Sequence, residues 1–424
     1  MKPGFLLWLV IASSTWAKPS GSSLDEFANK LLGVDEAQQA AWARAAKAGA
    51  LEVAPVHLPV DPPGDCNHYG WPVAAMAGDV IIVMHRRIPG HRAKGAGKPH
   101  PKMSYGIVLR SSDGGKTWSR PYDLRDCMKS EDRNRGGVVP LSHRAKFDKQ
   151  NKSTLGYKVH LHAIGVTRDG AVVAVNNHGV FRSEDAGRTW KHFPKALRED
   201  TFKRPIINVG PRILDDPKRG LLVFGNWFGE VDQYHKYSEK LVALSSPDGG
   251  ATWKVEEHPV GFRQYEPAAL FRDGRYLFLT RDQDRVRSHR QMTWLPGGKP
   301  TVAKTNLQDP RLVDTVDLSF NPVTKRLETV RSERHRMQLW LWSMDPKDWA
   351  TGKWRRECRL LARKGRFYAD ADGFHPAGAV IDAKRGLQHV FIYVGAPNGP
   401  AGVFRISRTL QTDKLKELLK LNPS

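Results

Sequence analysis

From His68 onward the chain alternates short apolar runs with polar turns rich in Gly, Asp and Ser, a pattern that predicts strands. Residues 73–76, 80–84, 106–109 and the stretch from Trp118 make a first four-stranded unit. A second runs from Val159 through 171–175, and a third starts near Ile206 and uses 221–224. Residues 266–271 and 276–279 open a fourth, 316–342 form the fifth, and 377–381, 390–393 and 403–406 belong to the last. Six units of roughly 60 residues predict an all-β chain built as a six-bladed propeller; a β-sandwich or a seventh blade is the alternative. Ahead of the strands, residues 24–32 and 36–50 carry apolar positions at helical spacing and end on Gly49. They predict one or two helices, packed on the rim or serving as a spacer. Pro55, Pro59, Pro62 and Pro63 punctuate the lead-in to the first unit, and 415–421 predicts a capping helix. Residues 120–158, with Arg125, Lys129, Arg133, Arg135, Arg144 and Lys146 and few aliphatics, read as a long basic insertion. It is either a solvated loop or a lid over the ligand face.

One turn recurs. Ser111-Ser112-Asp113-Gly114-Gly115-Lys116-Thr117-Trp118 returns as Ser183-Glu184-Asp185-Ala186-Gly187-Arg188-Thr189-Trp190 and as Ser246-Pro247-Asp248-Gly249-Gly250-Ala251-Thr252-Trp253. The pattern is S-x-D-x-G-x-T-W, and Ser343-Met344-Asp345-Pro346 looks like a decayed fourth copy. Asp accepts hydrogen bonds from the N–H groups of its own turn, and Gly supplies the positive φ that closes it. The indole covers the apolar side of the hairpin. The repeat resembles the Asp-box, or bacterial neuraminidase, repeat of sialidase-like β-propellers. The resemblance implies that Asp113, Asp185 and Asp248 are structural, on hairpins between outer strands and away from the ligand. It speaks for fold, and fold does not dictate function.

The N-terminus has Lys2, an apolar run over 5–12 and Ala17 at a plausible cleavage point, which predicts a secretory signal peptide over 1–17 and a secreted or periplasmic protein. The run is too short to span a bilayer, so no integral membrane segment is expected. The predicted organisation is 1–17 signal peptide, 18–62 helical segment and linker, 63–412 propeller, and 413–424 C-terminal helix or tail. Cys66, Cys127 and Cys358 leave an odd thiol; Cys66 and Cys127 flank the first turn and could pair after export. With 67 Lys and Arg against 44 Asp and Glu, the chain carries +23. That charge suits an acidic glycan as substrate; the alternative is that many exported proteins are simply basic. No nucleic-acid motif accompanies it, so nucleic acid is not an expected partner. No cofactor and no metal are expected, and the predicted state is a monomer.

In sialidase-like enzymes an arginine triad grips the sugar carboxylate, a Tyr polarised by a Glu is the nucleophile, and an Asp is the acid. Arginine suits the grip because its planar fork donates two parallel hydrogen bonds to a carboxylate. The segment from Gln264 to Arg275, with Tyr265 and Glu266-Pro267, resembles the family's stretch in which Glu-Pro begins an inner strand. Glu266 then lies near the channel, and Arg281, ending the next strand, matches the second triad arginine. The family's x-R-I-P motif finds Tyr69-Gly70-Trp71-Pro72, with Gly70 where the arginine belongs. Arg87-Ile88-Pro89 either matches by chance or brings Arg86 or Arg87 to the same cleft from another strand, beside Trp71. At the nucleophile's place stands His375-Pro376, a general base or glycan contact or else a structural histidine; Tyr368 would need a shifted register. No Asp occupies the acid position between Gly90 and Ser112. His160 and His162 alternate on one strand face and complete the candidate binding set. The implied function is a glycoside hydrolase with a diverged site, acting on sialic-acid-like, uronic or sulfated glycans. The alternative is a non-catalytic binding propeller.

Overall fold

The strand at Val80–Ile88 is apolar without alternation because both of its faces are covered. Ile82 and Met84 pack toward Val172, Ala174 and Phe181, whereas Ile81 and Val83 pack toward Val380, Phe391 and Val403. A strand buried on both sides has no polar face to show. The computed structural model describes residues 21–59, 66–90, 100–134, 161–197, 207–227, 239–282, 288–310, 313–374 and 376–420.

These residues form six antiparallel blades, with single parallel pairs, Ile164↔Arg212 and His68↔Ala401, joining blade two to three and blade six to one. N-terminal strand β1 (Leu51–His57) precedes blade one, which is β2 (His68–Ala77), β3 (Val80–Ile88), β4 (Ser104–Ser111) and β5 (Tyr122–Asp123). Blade two is β6 (His162–Val166), β7 (Val172–Asn176), β8 (Gly179–Ser183) and β9 (Lys191–Phe193). Blade three is β10 (Ile207–Asp216), β11 (Gly220–Trp227), β12 (Lys240–Ser246) and β13 (Lys254–Pro259). Blade four is β14 (Gln264–Arg272), β15 (Arg275–Asp282), β16 (Ser288–Trp294) and β17 (Thr301–Gln308). Blade five is β18 (Ser319–Asn321), β19 (Arg326–Glu333), β20 (Gln338–Met344) and β21 (Arg355–Ala362). In blade six, β22 (Asp372–Gly373) and β23 (Gly378–Asp382) pair with β24 (Leu387–Gly395), which pairs with β25 (Ala401–Thr409).

The outer strand of blade six is β1, antiparallel to β25 from Leu51↔Arg408 to His57↔Val403. Both chain ends thus share one sheet, and the ring is a six-bladed propeller. Each blade–blade contact has its own apolar cluster; Leu222, Phe224, Tyr276, Phe278 and Trp294, for example, join blades three and four. Inner strands approach closely at glycines: a Cβ on Gly210 would sit 2.0 Å from the Pro267 carbonyl oxygen. Across the channel, Arg212 of β10 reaches Asp317 at 2.7 Å, Leu318 O at 3.1 Å and Ala379 O at 3.0 Å, tying blades three, five and six.

Helices α1 (Gly21–Leu32) and α2 (Glu36–Lys47) pack on the rim of blades five and six, where Leu31, Ala41 and Ala45 join Leu339, Leu360 and Phe404. The C-terminal helix α3 (Thr412–Leu418) adds Leu415 to that cluster. Among the described residues no helix is long and apolar enough to cross a membrane.

Three expectations change. The fifth unit begins and ends later than 316–342, because β18 starts at Ser319 and Trp342 lies within the third strand. The predicted insertion overlaps blade one: Tyr122–Asp123 is its fourth strand, and Asp123 is held by Ser104, Arg87 and Arg125. The remainder from 135 to 160 lies outside the described residues. Cys66 and Cys127 do not pair; Cys66 contacts His100 Nδ1 at 3.1 Å and Cys127 donates to Leu124 O at 3.1 Å.

Candidate functional site

The three repeated turns join third to fourth strands. In each, the Ser hydroxyl donates to the Asp at 2.7–2.8 Å, and the same Asp accepts from the Thr N–H and hydroxyl. Trp190 and Trp253 donate their indole N–H to the carbonyls of Gly187 and Gly250. Asp345 instead caps a 3-10 helix by accepting from Lys347 N at 2.9 Å, at the equivalent place in blade five. In a four-stranded meander the third-to-fourth turn lies at the opposite end from the start of the first strand and the end of the second. The Asp turns therefore occupy one face, and the candidate site occupies the other.

On that other face two inner strands carry a residue followed by Pro at a β-bulge. The β2–β3 register shifts between Gly70 and Val73, and the β14–β15 register shifts between Tyr265 and Ala268. Trp71 and Glu266 sit at those bulges with φ of 54° and 50°. Tyr368 and Phe374, beside the start of blade six's inner strand, have φ of 65° and 62°. Non-Gly residues in this region cost on the order of 1 kcal/mol or more each, and such strain gathers where side chains must be aimed.

The ends of the second strands supply the charge. Arg86 lies two residues before the end of β3, Arg281 one before the end of β15, Arg334 follows β19, and Tyr393 lies near the end of β24. Arg281 donates to Glu266 and lies 3.9 Å from Asp314 Oδ1. Glu266 also accepts from the Thr315 hydroxyl, and its backbone N–H donates to Asn226 Oδ1 at 3.3 Å. Arg334, 3% exposed, pairs with Asp314, 1% exposed, and donates from Nη1 to the Tyr368 hydroxyl at 3.1 Å. Arg86 lies 5.7 Å from the Trp71 ring and 5.5 Å from the Tyr105 ring, and donates to Leu161 O at 3.4 Å. The Trp71 and Tyr393 rings stand 5.1 Å apart.

Burial lowers the Arg86 pKa to about 10, partly offset by Tyr105, Glu266 and Tyr393; the group stays charged at neutral pH. For Arg334 burial acts downward, but Asp314 outweighs it and holds the pKa above its ordinary value. Burial and then Asp372 push the Tyr393 hydroxyl well up, so it remains a protonated donor. The mouth thus gathers three guanidiniums, two carboxylates and a platform of aromatic rings.

The structure brings Glu266, Arg281, Arg86 and Trp71 together. Tyr265 is buried one residue away, opposite Arg281 in the ladder. His162 supports the mouth from below: its Nε2 donates to Trp71 O at 2.6 Å. Arg87 does not belong. Alternation along β3 turns it away from Arg86, and it bonds Lys102 O at 2.7 Å and Asp123 at 3.2 Å. His160 and His375 lie outside the described residues. Sequence reasoning missed Arg334, Asp314, Tyr393 and Tyr105. Arg334 had a usable signal, since it stands at the end of a second strand as Arg86 and Arg281 do.

No family model and no curated protein matches the sequence. Solved structures do. A protein of unknown function from Dyadobacter fermentans is similar with a TM-score of 0.57 at 16% identity, over 84% of this chain and 99% of that one. The NanB sialidase of Streptococcus pneumoniae is similar at 0.52 and 12%, over 83% and 70%. Trypanosoma rangeli sialidase, in complex with 2,3-difluorosialic acid, is similar at 0.53 and 12% over 87% of this chain; the chain spans 60% of that enzyme's length. The chain therefore has an all-β, sialidase-like propeller fold.

Proposed function

We propose that the protein is a glycoside hydrolase that acts on acidic glycans, exported, with its site at the mouth built by Glu266, Arg281, Arg86 and Arg334. The observation that carries this is the convergence of three arginines from three blades around one carboxylate-lined, aromatic mouth. Guanidinium forks match a sugar carboxylate or sulfate, and Trp71 offers a face for the ring. In this reading Arg86 takes the place left by Gly70, which faces it across the β2–β3 ladder. Glu266 handles the proton, and the Tyr368 hydroxyl is the candidate nucleophile, an accepted exception to two-carboxylate glycosidases. His375, which lies outside the described residues, is a further proposed catalytic or glycan contact. The three Asp turns fit the Asp-box repeat and serve the scaffold.

A second reading has one observation in its favour. Arg281 and Arg334 already engage Glu266 and Asp314, an arrangement that also suits a propeller which binds glycans without cleaving them. Turnover on fluorogenic sialosides and on uronic-acid and sulfated oligosaccharides separates the two. Hydrolysis of any acidic substrate that is lost in Glu266→Gln supports the enzyme. Binding across the panel with no product supports the binding module.

A further inference from the structure

Behind Arg86 lies a chain of two imidazoles that the proposed chemistry does not use. His85, fully buried, places Nδ1 3.0 Å from the Arg86 carbonyl oxygen and Nε2 2.8 Å from Nδ1 of His57. A carbonyl only accepts, so His85 carries its hydrogen on Nδ1. Its Nε2 must then accept, and His57 donates from Nδ1. His57 ends β1, the strand that closes the ring against β25. The β3–β4 register shifts between His85 and Arg87, so Arg86 sits where the ladder is irregular. A backbone at such a point needs another anchor to aim its side chain.

We infer that His85, backed by His57, is a positioning residue that fixes Arg86 in the mouth and couples the anion grip to closure of the ring. The inference rests on the reading of Arg86 as part of that grip. His85 must be neutral, since a proton on its Nε2 would set donor against donor; His57 has only to donate from Nδ1, and it is neutral as well. The surroundings keep them so. Burial, then Arg86's carbonyl, Arg87 and Asp123 act on His85, and the net effect lowers it to about 4. Burial, His85 and Arg87 all lower His57. The Tyr69 ring packs 4.5 Å from His57 and 5.3 Å from His85 and offers no charge.

The test compares the parent with His85→Phe, His85→Asn and His57→Phe. Nitrogen NMR of the parent at neutral pH should show His85 protonated at Nδ1 and bare at Nε2. His85→Phe should weaken binding of glucuronic or N-acetylneuraminic acid, whichever the parent binds, on the order of tenfold, the worth of one hydrogen bond. The amide of His85→Asn replaces the Nδ1–H donor and should recover most of that loss, with His57→Phe between. Circular dichroism checks that each variant folds; if His85→Phe does not, the Asn and His57 variants carry the comparison. The Arg86 Nε–H resonance provides a ligand-free reading: it should move in His57→Phe and stay near the parent's in His85→Asn. Parental affinity in His57→Phe and His85→Phe, an unmoved Arg86 resonance, or a His85 proton on Nε2 would each overturn the inference. A parent that binds neither acid sinks the functional reading instead, and the NMR still decides the imidazole chain.

Discussion

At the scale of single residues, Arg281 and Glu266 form the pair on which the proposed chemistry turns. Arg281→Ala should weaken binding of the acidic substrate by about one to two decades, matching the roughly 1.5–3 kcal/mol of a charged hydrogen bond. Arg281→Lys should do only slightly better, because an ammonium keeps the charge and loses the fork. Glu266→Gln should lower turnover and leave binding nearly intact, since it preserves shape and removes the proton-handling charge. Calorimetry and single-turnover kinetics read the two losses separately. An Arg281→Ala protein that binds and turns over like the parent places the site elsewhere. Asp317 gives a different residue-scale test. Burial raises it to about 6 even though Arg212 acts the other way. The unfolded carboxyl titrates near 3.9, so between about pH 4 and 6 the folded state holds the extra proton. The parent should therefore lose up to about 3 kcal/mol from this group as pH rises through that window. Denaturant unfolding at several pH values should show that slope flattened in Asp317→Asn.

At the scale of elements, each Asp turn pins the hairpin between the outer strands of its blade. Asp185 accepts from the Ser183 and Thr189 hydroxyls and from the backbone N–H groups of Arg188 and Thr189. These bonds outweigh its slight burial and hold its pKa down to about 2. The sign is opposite to that of Asp317: its contribution is present above about pH 4 and fades as pH falls toward 2. Asp185→Ala should cost about 1–2 kcal/mol at neutral pH, seen as a lower melting temperature with the mouth's ligand affinity unchanged. A change in affinity would place the turn closer to the chemistry than the meander puts it. The bulges are elements of the other kind. Where Trp71-Pro72 and Glu266-Pro267 interrupt their ladders, the strand gives up pairing and gains an aimed side chain.

For the whole molecule, closure by β1 is the decisive contact. Val56 buries against blades six and one, while Leu51, Ala41 and Leu31 bury against blades five and six. A chain lacking everything before residue 58 should leave β25 as an open edge above an uncovered apolar cluster, which favours association. Size-exclusion chromatography should then show aggregates, or calorimetry should show loss of the cooperative transition; a monomer with the parent's melting temperature would refute closure as a requirement. The charge of +23 belongs to this scale too. If it serves to gather an acidic glycan, affinity should fall as salt rises, because the screening length shrinks to about 10 Å at 0.1 M.

What the sequence by itself determined is what repeats locally. The strands, the three Asp turns, the two helices ahead of the ring and the Glu266–Arg281 spacing were legible because each depends on residues within a few positions of one another. Apolar runs gave the blade count, and the turn motif gave the hairpins. Tertiary structure alone decided which charges meet. Arg86, Arg281, Arg334, Asp314 and Tyr393 come from four blades, and although the three arginines share a place near the end of a second strand, nothing local says that these five residues meet. The choice between Arg86 and Arg87 depended on the alternation and register of one strand, which the sequence permits in either phase. The Cys66–Cys127 pairing failed for a related reason: both residues flank the same turn in sequence, yet one thiol meets His100 and the other a backbone carbonyl. Closure likewise joins residues some 350 apart, such as Leu51 and Arg408. Such contacts are set by how the sheets curl into a ring, and that is a property of all six blades together.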